Sequence, residues 1–540
     1  MVMNRFTIIC ALLIAGAVSI RSQPASQTQP PSPSSKSWVV EGNVADDRGP
    51  VQDVSVYASG VGRALTAVTD TKGRFMLTGT AAGLYRISPS KEGYEGYDRG
   101  DLQNFRNLEL MAGSRVTSAD FVIHKAASIS GRILDPDRNP VQGAVVILQV
   151  KHFVQGRPYL ETIGGAESEA SGDYRIAGLK AGEDYYLSVA PSFRDNQAVS
   201  LNGHREPQVA LVQTFYPNAT SVDNAAPIYL NRAEQREGVD LIMGQAVTFC
   251  VTAMPRFELG NLLGASWRIS YRDGGAFAMG NGSLKPGEDL AVCRLPPGSY
   301  DLWIATFTSD KITGFISQTF IIGNRNVAIG ELYPNPPIPL RGKVIVADAP
   351  TDNPAPALSI EVGSLNRRQL HFFAEGNFGL SNSKGEFSIS DLFEDDYALV
   401  AVRHLPPGFY VKALTQAGRD VTRESIRPGD DLTITILSDG PVISGKAVDK
   451  DTPVHDATVI LIPKDQGIGS VVSVRSDQNG RFQIQSGIAP GDYSIVALTG
   501  LFGNENQNPE FLRDQMTRAT TLALDKKETK VVTLNVRAAH

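Results

Sequence analysis

The chain has 540 residues, and its 51 Lys and Arg against 57 Asp and Glu leave a net charge of −6. Hydrophobic residues at 42% and charged residues at 20% exclude a globally disordered polymer. The mild acidity argues against a nucleic-acid partner, which calls for a basic face. Three Cys exclude a disulfide-dense scaffold and a Cys-built zinc cluster.

At the N-terminus Arg5 precedes an apolar run from Phe6 to Val18, followed by small residues. A charged flank, a run of about 7–15 apolar residues and a small-residue site make a secretory signal, here residues 1–22. Cleavage after Ala17 or after Ser22 fits. The rival reading, an uncleaved anchor, is disfavoured because a bilayer needs about 20 apolar residues. Cys10 lies inside the run, which does not fit a lipoprotein anchor. No later stretch is apolar for long enough to span, so the expectation is an exported chain with no transmembrane segment after cleavage. Residues 23–36 (QPASQTQPPSPSSK) are a Pro/Ser-rich linker with no core-forming side chains. It is either a spacer from a membrane or wall or a disordered mature N-terminus.

Beyond it one pattern recurs. Gly42-Asn43-Val44 leads to Pro50-Val51-Gln52-Asp53-Val54, then Thr69-Asp70-Thr71-Lys72-Gly73-Arg74-Phe75, then Gly83-Leu84-Tyr85. The order returns at Gly131, Pro140, Gly172-Asp173-Tyr174 and Tyr185, and again at Gly445, Pro453, Asp477-Gln478-Asn479-Gly480-Arg481-Phe482 and Tyr493. A shorter copy holds Gly342, Gly385-Glu386-Phe387 and Tyr397, and a worn one keeps Pro297-Gly298-Ser299-Tyr300. The Val-rich stretches alternate apolar and polar residues, as half-buried strands do. Asp-x-x-Gly is turn chemistry, since Asp bonds its own backbone and Gly accepts positive φ. The turn Gly lies 12 or 13 positions before the Tyr in the four clear copies, which predicts a fixed hairpin unit.

Short strands separated by regular turn signals predict an all-β chain, a tandem array of about five antiparallel Ig-like or transthyretin-like sandwiches. The expected domains are 37–125, 126–245, 246–335 (divergent), 336–438 and 439–540. One helix is expected near Pro509–Met516.

These repeats resemble carboxypeptidase regulatory-like domains, related to transthyretin-like and carbohydrate-binding-like folds. The mature chain resembles multidomain secreted proteins of that type from soil bacteria such as acidobacteria. Gly172–Leu179, Thr214–Thr220 and Phe409–Ala413 add to the likeness. The resemblance implies a sandwich fold, and by analogy a glycan ligand. In metallocarboxypeptidases this sandwich is an accessory to a separate zinc domain. No such domain is expected here, because none of His124, His152, His204, His371, His404, His455 and His540 has Glu three residues on. A Gly-x-Ser-x-Gly elbow and a phosphate-binding Gly loop are also missing from the sequence. The expectation is a non-catalytic chain without cofactor or metal. Asp135-Pro136-Asp137 and Asp449-Lys450-Asp451 are read as turns rather than calcium sites.

Sugars stack their C–H faces on aromatic rings while polar neighbours meet their hydroxyls, so aromatics in polar loops are the candidate ligand residues. They are Tyr94 and Tyr97 in KEGYEGYDRGD, Tyr159 in QGRPYLE, and Trp38. The alternative for each is ordinary packing, and Trp38 could only cover an edge. Trp267 and Trp303 read as core. Cys250 and Cys293 are either a disulfide stapling the two sheets of the third sandwich or two buried thiols. The expected partner is a glycan or, alternatively, an envelope protein meeting a spacer, adhesin or accessory subunit.

Overall fold

The computed structural model describes residues 37–539, apart from 62, 97–104, 155–156, 193–206, 221, 258–261, 273–277, 309–310, 349–353, 366–376, 465–470, 478 and 502–504. The signal and linker expectations therefore lie outside the described residues. The chain divides into two units. One holds the chain up to Arg132 with Asp173–Ala181 and Tyr229–Asp240; the other holds Ile133–Gly172, Gly182–Ile228 and Leu241–His540.

The fold is all-β, an array of tandem sandwiches, and one pairing scheme recurs five times. Each repeat has an opening strand: Trp38–Asp46, Ala127–Leu134, Gly244–Pro255, Ile338–Val346 and Val442–Asp449. Each opening strand pairs antiparallel with the strand that follows the repeat's turn: Arg74–Gly79, Asp173–Leu179, Leu290–Leu295, Glu386–Leu392 and Arg481–Ile484. Each also pairs in parallel with the repeat's closing segment. The divergent third repeat obeys the same scheme, so its loss of motif is a loss of turn chemistry and not of topology.

In the first four repeats a second sheet carries the Tyr strand; in the fifth, Thr529–Ala538 pairs with both the opening strand and the Tyr strand and joins the two layers into one sheet. In the first repeat the order of the second sheet is Leu65–Val68, Ser55–Ser59, Gly83–Ser90 and Arg106–Leu110. Burial alternates along the strands of both sheets, as in Arg74–Gly79 of the first, where Phe75 and Leu77 are buried and their neighbours Arg74, Met76 and Thr78 exposed. Trp38, Val40, Val44, Phe75, Leu77, Tyr85 and Ile87 form one core. Each such large side chain contributes about 1.5–3 kcal/mol on burial.

Two local rules explain the motif. The glycine of each opening strand lies in register with the aromatic after the turn: Gly42 with Phe75, Gly131 with Tyr174, Gly342 with Phe387 and Gly445 with Phe482. At Gly445 a Cβ would meet the Val532 carbonyl of the closing strand and, at 2.7 Å, the Phe482 ring. The turn itself is closed by the Asp: Asp477 Oδ1 accepts from the backbone N–H of Asn479 and Arg481, both at 2.8 Å, and Gly480 takes φ +68°. The Tyr of the Gly-x-Tyr block is a corner. Its hydroxyl donates to the carbonyl four residues upstream: Tyr85 to Ala81, Tyr300 to Pro296, Tyr397 to Phe393 and Tyr493 to Ala489, at 2.6–3.2 Å.

Where a sheet face other than the core is also buried, alternation stops. Thr458–Pro463 (TVILIP) is buried from Val459 to Pro463. Val459 and Leu461 face the sandwich core, while Ile460 and Ile462 meet Leu512. Leu512 belongs to the helix Pro509–Thr517, whose N-cap Asn508 accepts from Glu510 N–H at 3.0 Å and whose first residue is Pro.

Candidate functional site

The Asp53–Ser59 segment, and the strand Gly83–Ser90 with Lys91 and Glu92 beyond it, build one outer face of the first repeat. Val56 and Ala58 point into the core, so Ser55 and Tyr57 point out. Ser55 pairs directly with Ser90, and Tyr57 with Ser88. Asp53, Ser55, Ser90, Lys91 and Glu92 line an open, polar depression of about 410 Å³. Lys91 closes one side: its ammonium donates to the carbonyls of Gln52 at 2.9 Å and Asp53 at 3.2 Å. Tyr57, two residues along the strand, keeps 38% of its surface exposed. The arrangement offers hydroxyls, carboxylates and one aromatic ring to a ligand. Sequence reasoning reached Lys91 and Glu92 only as part of the KEGYEGY loop, and it passed over Ser55, Tyr57 and Ser90. Their signal was a run of polar residues at alternate positions facing a Val-x-Ala core pattern.

Tyr94 is not a ligand platform, which corrects the sequence expectation. It is 5% exposed and belongs to the core of the first repeat. Its hydroxyl donates to Asp46 at 2.9 Å, and the Lys125 ammonium lies 4.0 Å from its ring centre. Burial, then the Asp46 carboxylate, push the phenol up to about 12. Trp38 is likewise a core residue, fully buried, tilted against Tyr85 at 4.9 Å and donating its indole N–H to Ala81 at 2.7 Å. It is packed inside the sandwich and does more than cover an edge. Tyr97 and the Tyr159 side chain lie outside the described residues.

The Tyr94 loop is instead part of a joint between the first two repeats. Gly96 N–H donates to Gly178 O at 3.1 Å, Ala181 N–H to Glu95 Oε1 at 3.3 Å, and Arg232 to Asp47 at 2.7 Å. His124 Nδ1 is 3.7 Å from Asp47. Burial first, then the Arg232 guanidinium, hold this imidazole below its ordinary range.

Other joints use the same means. Gln208–Val212 pairs with Gly244–Thr248, while Thr214–Phe215 pairs with Ser188 and Val189, so one short segment enters sheets of two successive repeats. Trp303 is buried, but not in the core of its own sandwich. Tyr300, Leu302 and Ile304 point inward, and Trp303 faces out into a cluster with Ala305, Phe315 and Phe393. Phe315 and Phe393, from successive repeats, lie 5.0 Å apart. Between the last two repeats Gly408 N–H donates to Gln485 O at 2.7 Å and Gly487 N–H to Phe409 O at 2.8 Å. Asp439 accepts from Tyr410 at 3.1 Å and pairs with Lys526 at 2.8 Å.

Cys250 and Cys293 form a disulfide. The strands that carry them, Gly244–Pro255 and Leu290–Leu295, are antiparallel neighbours in one sheet. The bond therefore clips adjacent strands and does not staple two sheets. The Asp135 and Asp449 turns are hairpin ends: Asp135 Oδ1 accepts from Asn139 N–H at 2.8 Å, and Lys450 and Asp451 both take positive φ. Among the described residues no group of three or more His, Cys, Asp or Glu side chains could hold a metal. No described helix is long and apolar enough to cross a membrane.

A buried clasp escaped the sequence reading. The residue before each turn's first position bridges two backbone groups. Ser476 Oγ donates to Val454 O at 2.8 Å and accepts from Ala457 N–H at 2.9 Å; Thr69, Ser168 and Ser381 do the same in their own repeats. A Ser or Thr at a fixed offset before the turn Gly was the available signal.

No family model matches the chain, and no curated protein matches it. Among solved structures it is similar to the Bacillus anthracis TIE protein at 12% identity and a TM-score of 0.15, over 55% of this chain and 51% of that one. It thus spans about half the length of that protein. It is also similar to a streptococcal ancillary pilin (13% identity, TM-score 0.17, 54% of this chain and 99% of that one). A third is BcpA, the major pilin subunit of Bacillus cereus (12% identity, TM-score 0.14, 76% and 99%).

Proposed function

We propose that this chain is an exported, non-catalytic scaffold whose sandwiches are held together as stiff neighbours and present binding surfaces at the cell envelope. The observation that carries the reading is the construction of the joints. Between the closing segment of one repeat and the opening strand of the next stand 123–126, 243, 333–337 and 438–441, which are one to five residues. Linkers this short leave little freedom, and backbone hydrogen bonds cross from repeat to repeat at Gly408 and Gly487. A chain of independent binding modules has no use for such joints. Hydrogen exchange on the mature chain tests this. The Gly408 and Gly487 amides are expected to be protected to the same degree as the cores they join. Exchange at the rate of exposed turns would defeat the scaffold reading.

A second reading, glycan binding, is favoured by the polar depression beside Tyr57. Hydroxyls and carboxylates next to an exposed ring suit a pyranose. Retention of the mature chain on insoluble polysaccharides, competed by the soluble oligosaccharide, is the expected result. No retention on any of them would leave the scaffold with a protein partner.

A further inference from the structure

Beyond the scaffold reading, and independently of it, we propose that the third repeat joins two copies of this chain. The joining element is the open edge of the strand Ile312–Ile322, paired antiparallel with itself about a twofold axis at Thr319. This strand is an outer strand of its sheet, bonded to Gly298–Phe307 on one side. On the other side Phe315 N–H donates to Asn335 O, and Phe315 O accepts from Asn335 N–H, both at 2.9 Å. In an antiparallel ladder the residues whose N–H and C=O turn away from a neighbouring strand recur at every second position. The register with the inner strand is unbroken from Gly314 to Ile322. Ser317, Thr319 and Ile321 therefore turn their backbone groups to the same edge as Phe315. The Thr319 carbonyl accepts from Gln318 Nε2 at 2.8 Å. The backbone groups of Ser317 and Ile321 have no partner on that edge among the described residues.

Such an edge is normally guarded by a charge or a proline. Among the described residues, edge strands of six or more positions carry one, as Arg74–Gly79, Arg157–Glu167 and Glu386–Leu392 do, with two exceptions. The exceptions, Ala278–Leu284 and Ile312–Ile322, are the two edges of one sheet. Gly280 and Gly282 weaken the first as a pairing strand. The second is rich in Ile, Thr and Phe, and its Ile321 is 69% exposed. Charge and register name the occupant. A strand without charge meets no repulsion from its own copy and offers a charged partner strand nothing to pair with. With Thr319 on the axis, Ser317 faces Ile321 of the second copy, and the two exchange both backbone hydrogen bonds. The exposed isoleucines are then covered. Pairing confined to one strand buries less than the about 1,200 Å² of a stable interface, so the dimer is weak and forms with concentration.

Hydrogen exchange on the whole chain at rising concentration tests this, with sedimentation giving the mass. The mass is expected to approach that of a dimer. The Ser317, Thr319 and Ile321 amides are expected to slow about ten-fold when nine-tenths of the chain is paired, while Ile316, Gln318 and Phe320 are slow at every concentration. A monomer throughout would overturn the proposal, and so would growth beyond the dimer, which would move the pairing to Ala278–Leu284. Ser317→Lys with Ile321→Lys sets like charges face to face and is expected to abolish the dimer. Both positions are exposed, so the fold is kept. The added lysines bring the net charge of −6 nearer to zero, so general repulsion does not account for the loss. Ser317→Lys with Ile321→Glu sets opposite charges face to face and is expected to restore the dimer. A dimer that survives the first variant would overturn the assignment to this strand, and failure of the second to restore it would overturn the twofold register.

Discussion

Replacing Gly445 by Ala tests why every clear copy of the repeat opens on a glycine. The new Cβ would lie against the Val532 carbonyl and 2.7 Å from the Phe482 ring. Neither neighbour yields easily. The parallel pairing runs in register from Val442 with Thr529 to Val448 with Asn535, and Phe482 is 5% exposed. Overpacking costs about 1–3 kcal/mol and each lost ladder bond about 0.5–1.5, so with two bonds opened the total is about 2–6 kcal/mol. Gly487→Ala is the control. Its φ is +81° and its nearest neighbour, Val472 Cγ2, is 3.8 Å away, so only the backbone penalty of about 1–2 kcal/mol applies. A chain of several domains does not unfold in one step, so the assay is native-state hydrogen exchange at Ile443–Val448 in the whole chain. If Gly445→Ala changes that protection by less than about 0.5 kcal/mol, the steric argument is wrong. If Phe482→Ala fully rescues it, the ring alone sets the restriction and the carbonyl does not.

Removing the disulfide by Cys250→Ser with Cys293→Ser should destabilise the third repeat by about 2–4 kcal/mol, given a closed loop of 43 residues. Exchange confined to residues 246–335 checks this; unchanged protection there contradicts it. Ser476→Ala strands the Val454 carbonyl and the Ala457 N–H, so the fifth repeat should lose about 1–3 kcal/mol, read from exchange at those amides. Trp303→Ala opens a cavity away from the core of its own sandwich. Protection at Phe393 N–H should fall more than at Ile304, and the reverse order would place the Trp in that core after all. The His124 joint carries a pH dependence of definite sign. The folded state lowers this imidazole's pKa, so the unfolded state takes up the proton first. The stabilisation is full above the unfolded value of about 6.5 and is lost as pH falls from there toward the lowered folded value. His124→Gln should flatten that slope at the Glu95 and Gly96 amides, and an unchanged slope would point to another group.

Much of the fold was legible because its signals are short-ranged. Strand alternation spans two residues and the Asp-x-x-Gly turn four. Each acts through the backbone around it, so a linear reading finds strand, turn and strand in order. The helix start was legible for the same reason, since Asn508 and Pro509 cap it locally. The burial of Tyr94 and Trp38 was not legible because exposure is not local. Tyr94 lies in a Gly-rich polar loop, yet Asp46 and Lys125, distant along the chain, close over it.

What the amino-acid order determined by itself, then, is the all-β class and the repeated hairpin unit. The tertiary structure alone decided which outward faces are covered. Trp303 reads as core from the sequence, and only the folded chain shows it packing outward against Phe393 of the next repeat. Cys250 and Cys293 look able to staple two sheets until register makes them neighbours in one. In each case the deciding contact joins segments far apart in sequence, and its free energy comes from surfaces that exist only once both partners have folded.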